Sequence, residues 1–166
     1  MTCRSVLRPA MVCMYWCVAA LCLSQAGFSQ WKADPSQSAT SLGQSSLIQP
    51  AELAKSLEAA KDKPLVLNVG PRMLYVQAHI PGAEYIGPGS DAEGLKQLHA
   101  RVNSLPHSKL IVLYCGCCPW SHCPNVAPAF TELQKMGFTN VKVLYIAENL
   151  GTDWVYKGYP TDRGSK

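Results

Sequence analysis

The chain has 166 residues, of which 48% are hydrophobic and 16% charged, and its formal net charge is +4. That length fits one domain with accessory segments, and the composition belongs to a chain with a packed core, not a disordered one. The charge balance is weak and no basic stripe is interleaved with aromatics, which excludes nucleic acid as a main partner.

The N-terminus carries Arg4 and Arg8 with no acidic neighbour, then an uncharged, mostly apolar run from Ala10 to Leu23, then Ser24-Gln25-Ala26. A positive segment, an apolar segment and small residues in that order predict a signal peptide over 1–26, cleaved before Gly27. The apolar run is shorter than the roughly 20 residues a membrane span needs, so no stable span is expected after cleavage. Leu21 before Cys22 disfavours a lipoprotein site, and no Arg-Arg pair marks a twin-arginine route. The expected location is therefore periplasmic or secreted. Residues 27–46 are rich in Ser, Gln, Ala and Gly without apolar periodicity and read as a flexible linker.

A single domain is expected over 47–164. Pro50 opens a helix over Ala51–Ala60, with Leu53 and Leu57 one turn apart. Leu65–Val69 is a short apolar strand. Ala83–Ile86 is a second, bounded by Pro81-Gly82 and Gly87-Pro88-Gly89. Leu95, Leu98, Val102 and Leu105 repeat at helical spacing within Asp91–Ser104. Leu110–Tyr114 is apolar throughout, the pattern of a strand covered on both faces. A further helix starts near Asn125, a favoured N-cap, with Pro128 in its first turn and Gly137 as its stop. Val141–Ile146 is the last strand. Strand and helix alternate, which predicts a three-layer α/β fold around a mainly parallel sheet.

Eight cysteines divide sharply. Cys3, Cys13, Cys17 and Cys22 lie in the export segment. Cys115, Cys117, Cys118 and Cys123 all fall in one loop between a strand and a helix. A disulfide framework spreads its cysteines to close long loops, and this cluster cannot do so. It marks a site for redox, sulfur transfer or metal chemistry. In α/β folds chemistry collects beyond the carboxyl ends of strands, where Cys115 stands. The helix start at Asn125 and Val126 would offer free N–H groups to an anion and lower a cysteine pKa. Cys115 is thus the candidate nucleophile, with Cys117, Cys118 and Cys123 as loop thiols able to resolve an intermediate or form a redox pair. His122 lies in the same loop and titrates near neutrality, so it could stabilise a thiolate or bind metal, with solvent exposure as its default. Trp120 either walls the pocket or packs the loop down.

Several short motifs resemble the rhodanese-like domain family. They are His79-Ile80-Pro81-Gly82-Ala83 with Tyr75 four residues earlier, Val112-Leu113-Tyr114-Cys115, Gly137-Phe138, and Trp154 followed by Gly158-Tyr159-Pro160. They occur in the family's order across residues 47–162. The resemblance implies a five-stranded parallel sheet flanked by helices, no cofactor, and a persulfide on Cys115 made from thiosulfate or a related donor. Two features depart from the family. The loop from Gly116 to Pro124 is longer and holds no Arg or Lys, so thiosulfate would lack its usual cation. Asn68 and Gly70 stand where the family commonly has Asp and Arg, with Arg72 the nearest replacement cation. A thiol persulfide or a protein disulfide suits this loop better. His79 and Trp154 are expected to be structural.

The leading expectation is an exported sulfurtransferase that takes sulfur from a small sulfane donor and passes it to an acceptor thiol. The alternatives are a thiol–disulfide oxidoreductase using Cys115-Gly116-Cys117-Cys118 with a redox protein partner, and a soft-metal module for copper or zinc. The leading reading requires no metal. In an oxidising compartment the spacing of Cys118 and Cys123 suits a disulfide, with Cys115 left reactive.

Overall fold

The computed structural model describes residues 42–58 and 61–164. The expected signal peptide, most of the expected linker and the end of the first expected helix lie outside them. Five strands form one parallel sheet: β1 Leu47–Ile48, β2 Leu65–Asn68, β3 Glu84–Tyr85, β4 Ile111–Tyr114 and β5 Val141–Leu144. Their order across the sheet is β1-β5-β4-β2-β3. Four α-helices connect them: α1 Pro50–Glu58, α2 Arg72–Gln77, α3 Ala92–Val102 and α4 Val126–Lys135.

The side-chain period of two divides each strand between two cores. Leu65, Leu67, Ile111, Leu113, Val141 and Val143 face one side and meet Leu98 and Val102 of α3 and Phe130 and Leu133 of α4. Val66, Val112, Tyr114 and Leu144 face the other and meet Leu53 of α1, Tyr75 of α2 and Trp154. Every β4 residue is buried, as its unbroken apolar sequence requires. The three layers follow directly.

Boundaries differ from expectation in ways that have physical causes. Leu42 is buried in the α3/α4 core, and Gln44–Ser46 forms a 3₁₀ turn leading into β1. The domain core therefore takes in part of the expected 27–46 linker, because Leu42 in that polar stretch fills an apolar cleft. α2 has no sequence counterpart above: it is six residues long and exposes Met73, so it shows no clean apolar stripe. α4 ends as expected. Gly137 sits at φ +87°, and Phe138 N–H returns to the Leu133 carbonyl at 3.0 Å. Among the described residues no helix is long and apolar enough to cross a membrane.

The family signatures serve the fold. His79 is buried and stacks on Tyr75 with ring centroids 4.1 Å apart, and its Nδ1 donates to the Tyr75 carbonyl at 2.9 Å. His79 and Asp162 exchange backbone hydrogen bonds at 2.9 Å, fastening the C-terminal segment to the end of α2. Trp154 is fully buried in a π-type turn over Gly151–Val155, and its Nε1 donates to the Pro160 carbonyl at 2.7 Å.

Candidate active site

After β2 the chain turns to α2 on one face of the sheet, and after β4 it turns to α4 on the other. These two strands are neighbours, with Asn68 opposite Tyr114. Their connections diverge, so a crevice opens between their carboxyl ends, the usual binding place in such sheets. Cys115 is the first residue beyond β4 and stands in that crevice.

Three contacts shape the loop that follows. Gly116 adopts φ +85°, a conformation glycine takes without steric cost, and its carbonyl accepts from Leu150 N–H at 3.0 Å. Trp120 N–H donates to the Ile146 carbonyl at 2.9 Å, and its half-buried ring lies 6.5 Å from that of Tyr145. Trp120 thus packs the loop down and does not line the main cleft. A 3₁₀ turn over Trp120–His122 then delivers Cys123 back into the core.

The Gly116 reversal lays Cys117 against Cys115, with 3.1 Å between the sulfurs. Cys118 Sγ contacts Cys117 Sγ, also at 3.1 Å. Cys115, Cys117 and Cys123 form a triangle with all sulfurs within 4.8 Å of one another, and Cys118 is not part of it. All four thiols are free. The Cys118–Cys123 pairing expected from spacing is not the contact made, since Pro119 and the 3₁₀ turn carry the chain between them outward. The Cys115-x-x-Cys118 pair of the oxidoreductase reading is likewise not the close one; Cys115-x-Cys117 is.

Electrostatically the triangle holds one thiolate among thiols. Cys115 is pulled down to about 6, chiefly by the Cys123 thiol donating to it, then by the Cys117 thiol and backbone N–H and by Asn125, against the opposing effect of burial. The donors pay the reverse effect: Cys123 is pushed up first by its bond to Cys115 and then by burial, and Cys117 by burial and its thiol neighbours.

Asn125 departs from its expected role. It occupies the N-cap position but makes no side-chain cap bond. Its Nδ2 donates to Cys115 Sγ at 3.5 Å, and its Oδ1 accepts from Ser90 N–H at 3.2 Å and Ser90 Oγ at 2.8 Å. The free backbone N–H groups of Asn125 and Val126 aim at Cys123, not Cys115. The helix start does hold sulfur, through a different cysteine from the one expected.

The β2 end completes the support. Asn68 is buried; its Nδ2 donates to the Cys115 carbonyl at 3.3 Å and its Oδ1 accepts from Gly70 N–H at 3.1 Å. A Cβ on Gly70 would lie 2.5 Å from the Cys115 carbonyl oxygen and 2.8 Å from its sulfur. A side chain there, such as the arginine the family commonly has, would collide with Cys115. Arg72 does not replace it, because its guanidinium lies over the Tyr85 ring, 5.1 Å from the centroid. His122 is exposed and bonds only Ser121 Oγ, so the structure does not bring it to the thiols.

A cleft of about 330 Å³ reaches Cys115, Gly116 and Cys117. One wall is Leu74, Gln77 and Ala78 at the end of α2, and the other is Asn149–Gly151. That size suits a small molecule or a short peptide segment. The polar atoms facing it are amides and thiols, with no cation in the lining. Three soft sulfur donors also form a set able to hold a thiophilic cation.

The family model for the rhodanese-like domain matches residues 49–145. No curated protein matches the chain. Among solved structures, the rhodanese-like domain of an Anabaena protein is 24% identical and covers 71% of this chain and 79% of its own, with a TM-score of 0.51. A protein from Bacillus halodurans is 22% identical over 70% of this chain and 76% of its own, with a TM-score of 0.54. EanB, solved in complex with hercynine, is 23% identical over 71% of this chain and 27% of its own, with a TM-score of 0.51. At these identities the likenesses carry the fold.

Proposed function

The chain belongs to the rhodanese-like domain family, and we propose that it is a sulfurtransferase-type protein in which Cys115 carries sulfane sulfur as a persulfide. The observation that carries this reading is the convergence on Cys115 Sγ of the Cys117 thiol at 3.1 Å and Asn125 Nδ2 at 3.5 Å, with Cys123 Sγ within 4.8 Å, at the floor of the crevice. These donors favour the thiolate, which is the nucleophilic form. The Cys115 thiolate attacks the outer sulfur of a donor R–S–SH. The donor S–S bond breaks, R–S⁻ leaves, and Cys115–S–SH remains.

The cation-free lining favours a thiol persulfide over dianionic thiosulfate as the donor. Reduced protein mixed with glutathione persulfide should gain one sulfur atom on the Cys115 peptide, and thiosulfate should load it far more slowly. Cys115→Ser should fold normally and gain none; persulfide formation by that variant would sink the proposal.

Export belongs to the same proposal and rests on the charge and apolar order of residues 1–26. Protein recovered from its host should start near Gly27, and an intact N-terminus would remove this part.

The sulfur triangle favours a second reading, a Cu(I) site. Competition of the reduced protein against a Cu(I) chelator decides it: failure to take the ion from a weak chelator rejects that reading.

A further inference from the structure

Only one of the three other loop thiols is placed to act on a sulfur carried by Cys115. Cys123 is buried at 3% exposure, lies outside the cleft lining and is held by the N–H groups of Asn125 and Val126. Cys118 meets Cys117, not Cys115. Cys117 lies 3.1 Å from Cys115 Sγ, is half-buried and lines the cleft beside it. That sulfur–sulfur distance is already within the range of a near-attack arrangement. The single residue between them is Gly116 at φ +85°, which lets so short a ring close.

We propose that Cys117 is a resolving thiol, and that this site reduces persulfides and discharges their sulfur as sulfide. The inference rests on the persulfide reading above and adds a second activity to it. Cys117 Sγ attacks Cys115 Sγ, the inner sulfur of Cys115–S–S⁻. The Cys115–sulfane bond breaks, the Cys117 thiol proton goes to the departing sulfur, and HS⁻ leaves through the cleft. A Cys115–Cys117 disulfide forms. Over the whole cycle R–S–SH and two protein thiols give R–SH, hydrogen sulfide and one disulfide. The sulfane sulfur gains two electrons and the two cysteine sulfurs lose them. An external dithiol then restores both thiols. It enters at Cys117, which opens onto the cleft, because that attack expels Cys115, the more acidic thiol and so the better leaving group.

Burial keeps Cys117 protonated until then. It is a weak nucleophile toward solvent oxidants and gains reactivity only when a persulfide beside it can take its proton.

The test uses the full, reduced chain and stoichiometric glutathione persulfide, with no added dithiol. Intact mass and a sulfide probe are read together. Wild type should release one equivalent of sulfide, end two hydrogens lighter, and yield a linked peptide joining Cys115 to Cys117. Cys117→Ser and Cys117→Ala should each end one sulfur heavier, hold that sulfur on Cys115, and release sulfide only at background. Cys118→Ser should still release sulfide and still yield the peptide joining Cys115 to Cys117, because Cys118 meets Cys117 and not Cys115. Wild type that keeps the extra sulfur without releasing sulfide would overturn the inference and leave the persulfide reading standing. So would sulfide release at the wild-type rate by Cys117→Ser, or a linked peptide joining Cys115 to Cys123. If no protein gains sulfur or releases sulfide, both readings fall together.

Discussion

Asn125→Asp is the sharpest probe of how this site makes a thiolate. The change keeps the shape and an acceptor for Ser90 N–H and Oγ, and it removes the Nδ2 donor that lies 3.5 Å from Cys115 Sγ. A carboxylate is also favourable at the start of α4, so the fold should hold. A hydrogen bond to a charged group is worth about 1.5–3 kcal/mol. At 1.36 kcal/mol per unit, that converts to about one to two pKa units. Cys115, now at about 6, should therefore titrate about one to two units higher. Repulsion from the new carboxylate adds to the shift. The assay is the pH profile of iodoacetamide alkylation at the Cys115 peptide. In wild type, reactivity should rise as the proton leaves near pH 6 and then level off. In the variant the rise should come later but reach a higher plateau, because a more basic thiolate is intrinsically more nucleophilic. The two profiles should cross. A midpoint that moves by less than about half a unit, or moves down, would refute the assignment of Asn125 as a thiolate donor.

Gly70→Ala should lower stability by about 1–3 kcal/mol through overpacking and should slow persulfide loading, because its Cβ would meet the Cys115 carbonyl oxygen at 2.5 Å. A thermal melt and the loading assay check both parts; a variant with wild-type values in each would show that the backbone yields freely there. His122→Ala should change stability by no more than about 0.5 kcal/mol and leave loading unchanged, since the ring faces solvent. A drop in loading would return this histidine to the site. Arg101 pairs bidentately with Glu84 and holds its carboxyl below the usual range, through the hydrogen bond first. A depressed carboxylate contributes stability above its unfolded pKa and loses it as pH falls through the folded value. Both side chains are more than a third exposed, so the pair is worth at most about 1 kcal/mol. Urea melts should show Arg101→Met less stable than wild type at neutral pH, with the gap closing below about pH 4.

Much of the scaffold is written in the order of apolar and polar residues along the chain. Ile111–Tyr114 is apolar at every position, so β4 had to be a doubly covered strand, and Cys115 had to follow it. The α1, α3 and α4 faces show because Leu53 with Leu57, Leu95 with Leu98 and Val102, and Ala129 with Leu133 recur at helical spacing among polar neighbours. β1 escapes because two residues cannot display a period. α2 escapes because its outward residues are Met73 and Leu74, and yet it supplies a wall of the cleft. Within the site, linear spacing misleads. It ranks Cys118 with Cys115 or Cys123, whereas the positive φ of Gly116 folds Cys117 onto Cys115. Asn125 looks like a cap because local sequence shows only local partners. Its real partners, Ser90 and Cys115, lie 35 and 10 residues away and depend on the packing of α4 against the sheet.

The amide-and-thiol lining of the cleft has a kinetic consequence. A protein whose active site carries a cation draws anionic substrates from a distance, and its encounter rate falls as ionic strength rises. Here the lining from Asn68 to Gly151 holds no cation, and its one charge is the Cys115 thiolate. Second-order loading by a neutral donor should thus be nearly flat from dilute buffer to molar salt, whereas an anionic donor, repelled by the Cys115 thiolate, should load faster as salt screens that charge. Selection then happens after arrival, in whether the outer sulfur of the donor can settle against Cys115. With a neutral donor, such a protein works at the same speed in fluids of very different salinity.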